Sequence, residues 1–226
     1  MPPRPKNDDF KPILSPETAP AQYQPAVFWD SMYAGEDFRY GTKPNAFLSA
    51  ELHRLPKQAH IVAIGDGEGR NGVYIAKAGY RCTSIEPSTQ GCLKIRKLAA
   101  REGVLIEVQQ GRFPYDVAPS PPVHGVVLTY IHQPEGIRAH FHAAAASLLT
   151  PGGLLLLEGF TPDQQHHHSG GPRDASMLFT PDILRADFDG LLEEVYLWEG
   201  EVDLDEGPGH HGRAAVVRYI GRKPRS

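Results

Sequence analysis

At 226 residues, with a formal charge of −4 and 40% apolar residues, the chain suits one soluble domain with appendages. The slightly negative balance gives no broad positive field, so nucleic-acid binding is not expected. No apolar run approaches the roughly 20 residues that a membrane helix needs.

Only Cys82 and Cys92 are present, and not in a C-x-x-C spacing. With no apolar leader core at the N-terminus, this predicts a reducing, cytoplasmic setting.

Residues 1–25 carry seven prolines, from Pro2 to Pro25, and few apolar partners. They predict an extended or disordered arm. The remaining residues, 26–226, are read as a single domain whose first part, 26–56, is a helical cap. A short amphipathic helix is expected over Ala26–Ala34. The turn YGTKP (Tyr40–Pro44) then opens a second helix, with Pro44 near its first turn and Phe47, Leu48, Leu52 and Leu55 on one face.

From His60 onward, strand and helix patterns alternate. Ile61–Ile64 is a buried strand, Asn71–Ala78 a helix closed by Gly79, and Arg81–Glu86 a second strand. Ser88 caps a helix that runs through Leu98 and Ala99. Val104–Val108 and Val123–Tyr130 are expected as the third and fourth strands, with a helix over Pro134–Leu149. The turn PGG (Pro151–Gly153) launches the fifth strand, LLLLEGF. A polar segment, a short helix from Pro181, and strands over Leu191–Trp198 and Ala214–Ile220 complete the chain. An acidic, glycine-rich loop is expected between those last two strands. Alternation of this kind predicts parallel pairing with right-handed crossovers, ending in an antiparallel pair. The basic residues near the C-terminus, from Arg213 to Arg225, read as a solvated strand face and tail.

The stretch AIGDGEGRNGVYIA (Ala63–Ala76) is the most informative. In an open parallel sheet, ligands bind beyond the C-terminal ends of the strands. Gly65, Gly67 and Gly69 end one strand and enter a helix, so the bare backbone can approach a ligand closely. Glu86 ends the next strand. Gly67, Gly69 and Gly72 satisfy the dinucleotide pattern G-x-G-x-x-G, but the pattern should start at Gly65. That register puts Arg70 in the third glycine's place, where it would crowd helix–strand packing. S-adenosylmethionine (SAM) fits better: the glycines pass its amino-acid chain, and Glu86 accepts hydrogen bonds from the ribose hydroxyls.

At these residues the chain resembles the class I SAM-dependent methyltransferases, and most of all the branch with the tellurite-resistance methyltransferases and related small-molecule enzymes. The resemblance is carried by FWDSMYAGEDFRYGTKPNAFL, GEGRNGVYIAKAGYRCTSIEPS, LLTPGGLLLLEGFTP, SGGPRDASMLFTPDILRADFDGL and the closing segment from EGEVDLDEGPGHHGRAAVVRY. It implies a Rossmann-like α/β fold, doubly wound, with seven strands in the order 3-2-1-4-5-7-6 and an antiparallel last strand. It further implies SAM contacts at Gly65, Gly67, Gly69, Arg70 and Asn71, at Glu86, Pro87 and Ser88, and around Tyr130. Trp29 and Tyr40 are candidates for a wall over the methyl-donor end.

Two departures stand out. Ala63 occupies the place of a usual carboxylate, which leaves Asp66 or a backbone carbonyl to receive the SAM ammonium. Arg112 and Phe113 stand where an acidic residue usually meets the adenine amine; Phe113 could stack on the base.

Methyl transfer from a sulfonium is an in-line displacement, in which positioning can contribute roughly 7–11 kcal/mol. A thiolate or reduced chalcogen needs no further help, whereas a hydroxyl or protonated amine needs a base. TYIHQP points Tyr130 and His132 at the cleft, and His132 is the candidate base. The segment lacks the (D/N)-P-P-(Y/F) arrangement, which argues against DNA adenine and glutamine as substrates.

His166, His167 and His168 read as a solvated loop. With His210 and His211 they lack the spacing of a metal site, and no metal is expected. Glu158, Arg173 and Arg185 could reach an anionic substrate. The expected activity is methylation of a small molecule, with thiols and chalcogen compounds as candidate acceptors. A noncatalytic SAM-binding relative and an NAD-dependent oxidoreductase are the alternatives.

Overall fold

The computed structural model describes residues 24–225, so the proline-rich arm expected over 1–25 lies almost wholly outside the described residues. Its centre is one sheet built from β1 (His60–Ile64), β2 (Arg81–Glu86), β3 (Glu107–Gln110), β4 (Val123–Thr129), β5 (Leu149–Phe160), β6 (Glu193–Gly207) and β7 (His210–Arg222). The spatial order is β3-β2-β1-β4-β5-β7-β6, as the resemblance implies. Strands β1 to β5 pair in parallel, and β7 runs antiparallel to both β5 and β6.

Among the described residues, six α-helices accompany the sheet: α1 (Pro25–Met32), α2 (Ala46–Glu51), α3 (Arg70–Lys77), α4 (Thr89–Glu102), α5 (Glu135–Ser147) and α6 (Pro181–Phe188). The period of two along a strand divides the core between the two faces. Val62 and Ile64 face the side where Phe141 of α5 and Phe188 of α6 pack. Ile61 and Ala63 face the opposite side, against Phe47 and Leu48 of α2 and Ile75 of α3. With both faces covered, every residue of β1 is buried, and its C-terminal end opens on the loop that carries the glycines.

Several boundaries differ from the sequence reading. Asn45 caps α2 by accepting the Leu48 N–H at 2.9 Å, so Pro44 precedes the helix. The third strand starts at Glu107, not Val104, because Gly103 closes α4 in the left-handed region at φ +68°. Val104 and Ile106 then pack against Val73 and Leu98, while Leu105 stands 96% exposed.

The largest difference is at the C-terminus. The acidic stretch expected as a loop is strand: β6 continues to Gly207 and β7 starts at His210. Alternation decides this. Leu204 and Glu206 are buried and Val202 half-buried, while Glu201, Asp203 and Asp205 face solvent. The hairpin tip reaches the N-terminal turn, where the Gly209 N–H donates to the Arg39 carbonyl at 2.8 Å.

Candidate active site

A cavity of about 510 Å³ opens at the C-terminal ends of β1, β2 and β4. Gly65, Glu86, Trp29, Tyr40, Tyr130 and His210 are among its walls. Gly67 has φ +58°, and a Cβ there would meet the Tyr33 hydroxyl at 2.8 Å, so backbone forms the wall. Gly69 is different. A Cβ there would meet Cα of Ile95 in α4 at 2.9 Å, so this glycine serves helix packing and lies outside the cavity lining.

Asp66 lines the cavity and is already engaged with the protein. Its carboxylate accepts the Gly72 N–H at 3.1 Å and the Ser84 hydroxyl at 2.5 Å. Burial pushes its pKa up to about 6 against those hydrogen bonds. The side chain ties the loop to the start of α3 and to β2 while lining the cavity.

Glu86 does stand at the cavity, only 3% exposed. Its Oε2 accepts the Gly67 N–H and its Oε1 accepts the Ser88 N–H, both at 2.8 Å. Burial raises its pKa to about 8, outweighing the two backbone donors that favour the ionised form.

That has a measurable consequence for the free protein. Glu86 holds a proton in the folded state between about 4.5 and 8 that it has lost in the unfolded state. Its contribution to stability is therefore full below about 4.5 and lost as pH rises through 8. Above pH 6.5, histidines are largely neutral in both states. The melting temperature should accordingly fall between pH 6.5 and 8.5, and Glu86→Gln should flatten that slope. A wild-type melting temperature that rises over the interval contradicts this account.

Pro87 lines the cavity beside Glu86, but Ser88 does not. The Ser88 Oγ accepts the Gly91 N–H at the start of α4 and donates to Asp30 Oδ1 at 2.6 Å, which ties α1 to α4. Arg112 and Phe113 both border the cavity. Arg112 grips Asp116 with Nε at 2.8 Å and Nη2 at 2.9 Å. Phe113 lies edge-on to Phe141, with ring centres 5.5 Å apart.

The N-terminal segment supplies an aromatic wall. Trp29 stacks on Tyr33 at 5.4 Å, and Tyr40 meets both rings edge-on. Buried Glu68 pins this wall to the glycine loop: its Oε2 accepts the Tyr40 N–H, and its Oε1 holds Lys94 at 2.7 Å. Tyr33 and Glu68 were not among the residues expected from sequence.

A buried polar network supports the β4 side. Asn45 Nδ2 donates to Glu158 Oε1 at 2.6 Å and to Glu206 Oε1 at 3.0 Å. Asn71 accepts the Asn45 N–H and donates to Thr129. Arg70 is paired with Glu206 at 2.8 Å, and Arg218 donates to Glu158. Arg70 and Asn71 thus border the cavity while committed to this network.

Neither expected catalytic side chain is free for proton transfer. The Tyr130 hydroxyl donates to Glu158 Oε1 at 2.6 Å, and burial raises its pKa far above the usual tyrosine value. His132 Nδ1 faces the Met177 carbonyl at 2.8 Å, while Nε2 accepts the Phe160 N–H at 3.1 Å. Burial lowers its pKa to about 4. Both are therefore walls and struts, because accepting a proton would break a hydrogen bond already made.

The histidine-rich segment does not assemble either. His167 pairs with Glu201 at 3.1 Å, His211 lies on the exposed face of the hairpin, and His210 faces the cavity. Among the described residues, no group of three or more His, Cys, Asp or Glu side chains is placed to hold a metal ion. Arg185 pairs with Glu194 on the surface, away from the cavity lining.

No family model matches this sequence, and no curated protein matches it. Solved structures do. A structure from work on the conversion of a disulfide bond into a thioacetal group during echinomycin biosynthesis aligns with a TM-score of 0.74 at 14% identity, covering 90% of this chain and 93% of the other. A SAM-dependent methyltransferase from Methanosarcina mazei aligns at 0.63 and 16% identity, covering 77% and 97%. TehB from Haemophilus influenzae aligns at 0.61 and 16% identity, covering 88% and 67%. The chain has the seven-stranded fold of the SAM-dependent methyltransferases.

Proposed function

We propose that this chain binds SAM and transfers its methyl group to a small-molecule acceptor, with thiols and chalcogen compounds as candidates. The observation that carries the reading is Glu86. Its carboxylate stands at the cavity, with each oxygen held by one backbone N–H and lone pairs left for a diol. A vicinal diol is what the ribose of SAM presents. Gly65 and Gly67 leave the adjacent wall without side chains, where a Cβ at Gly65 would run into Ile131. The cavity volume is within the range of about 300–1,000 Å³ typical of small-molecule sites.

Bound there, SAM supplies an electrophilic methyl on a sulfonium. Trp29, Tyr33 and Tyr40 present aromatic rings that favour a cation and exclude water. Tyr130 and Phe160 stack at 4.6 Å and shape the β4 end, where the acceptor is held in line. Arg70, paired with Glu206, fills the place a dinucleotide fold keeps for its third glycine. That weighs against NAD.

Calorimetry with SAM, its demethylated product and NAD tests the cofactor. Heat from the first two and none from NAD is expected; binding of NAD alone would overturn the reading. Mass spectrometry of incubations with SAM and a panel of thiols, hydrogen selenide and phenols tests the transfer, and methylated product is expected. SAM binding without any methylated product across that panel favours a noncatalytic role.

A further inference from the structure

We infer that His210, backed by Glu206, takes the proton from the acceptor, and that the acceptor is accordingly a protic, uncharged molecule. This rests on the methyl-transfer reading above. His210 is the first residue of β7, held at the hairpin tip by the bond from Gly209 to Arg39. Its ring is wedged between Tyr40 at 4.5 Å and Tyr130 at 4.3 Å, and it lines the cavity.

The polar atoms are unusual. His210 is 6% exposed and Glu206 4%. His210 Nδ1 lies 3.5 Å from Glu206 Oε2, an oxygen that also holds Arg70 at 2.8 Å, and Nδ1 itself is buried with no hydrogen-bond partner. A buried nitrogen left without a partner costs stability, and a role in the reaction accounts for keeping it. Nε2 makes no hydrogen bond among the described residues. His132 and Tyr130, in contrast, have their polar atoms engaged, and His142 is bound to Asp187 behind Phe179.

The surrounding charges suit a base that rests neutral. Burial lowers the His210 pKa, and Arg70 on α3 adds to that, while Glu206 on β6 and Glu158 on β5 oppose it. His132 also faces the group, and its own charged form is disfavoured. Tyr40 and Tyr130 contribute neutral rings. In the reaction, the acceptor's X–H proton passes to Nε2 as its electron pair forms the X–C bond. The C–S electrons stay on sulfur, leaving a neutral thioether. The new imidazolium turns its Nδ1–H onto Glu206 Oε2, and later releases the extra proton to water. An acceptor that is already an anion would not require this arrangement; a phenol or a protonated thiol would.

Nitrogen-15 spectra of histidine-labelled full-length protein, assigned with His210→Asn, test the pair without any acceptor. At pH 7.5, His210 should carry its proton on Nδ1, with Nε2 unprotonated. Glu206→Gln should lower its titration midpoint by about one pH unit, a small value for loss of an adjacent opposite charge. In the acceptor panel, His210→Asn should lose about a hundredfold in turnover, most of all at low pH, with SAM affinity within about threefold. A proton held on Nε2, or a midpoint indifferent to Glu206→Gln, overturns the inference while leaving SAM binding intact. Wild-type protein that binds no SAM overturns both readings.

Discussion

Replacing Glu86 by Ala is expected to weaken SAM binding by about a hundredfold while the protein keeps its circular-dichroism spectrum. The size follows from what the carboxylate does. A hydrogen bond to a charged group contributes about 1.5–3 kcal/mol, and each factor of ten in affinity corresponds to about 1.4 kcal/mol. Two ribose bonds would give up to four decades. The gain is reduced because the free site holds Glu86 protonated near neutral pH, its pKa being about 8. Binding must release that proton. Affinity should therefore rise with pH until about 8 and level off above it, with proton release visible in buffers of different ionisation enthalpy. Glu86→Gln should lose the pH dependence and retain part of the affinity. An alanine variant that binds SAM within about threefold of wild type would remove Glu86 from the cofactor site.

The glycine corner was readable because its information is local. Strand, bare turn, helix and the carboxylate of the next strand all fall within Ile61–Ser88, and local pattern reports local structure well. Boundaries failed where something other than pattern decides them. At β3, the left-handed Gly103 delays pairing until Glu107. At β6, the acidic residues suggested loop, although Val202, Leu204 and Glu206 carry the strand alternation. That alternation was the available signal, and it would have placed Glu206 on the inner face.

The supporting network was hidden for a different reason. Asn45 lies 113 residues from Glu158 and 161 from Glu206 in sequence, so no spacing rule joins them. Sequence also favoured His132 over His210, because its position at the end of β4 is visible. Its two backbone partners, Met177 and Phe160, are not. His210 was read with the polar loops, since only the antiparallel register carries it to Tyr130. The residues nearest a strand's end were thus easy to find, and the question of which of them is free was settled by distant backbone.

Glu158→Ala should lower the melting temperature by roughly 6–12 °C, the largest loss expected of any single replacement around the site. Glu158 is buried and accepts from Tyr130, Asn45 and Arg218 at once. Removing one member of a buried ion pair costs about 3–5 kcal/mol, because its partner is left uncompensated. Arg218 lessens that cost. Its side chain is 21% exposed and rests against Phe47 and Trp198, each 5.3 Å away, so water and π-faces remain to it. About 3 kcal/mol is left, and a domain of this size loses about 2–4 °C per kcal/mol. Tyr130 adds a functional consequence. Its backbone sits at φ +56°, which a tyrosine adopts only under restraint; the Glu158 backbone carbonyl accepts its N–H and the Glu158 carboxylate accepts its hydroxyl. Alanine keeps the first bond and loses the second, which loosens the ring that touches His210. Glu158→Gln, which keeps two acceptor lone pairs at about the same place, should recover much of the melting temperature. Differential scanning calorimetry of the two variants decides the matter: an alanine variant melting within about 2 °C of wild type would mean that Glu158 does not hold the β4, β7 and Asn45 segments together.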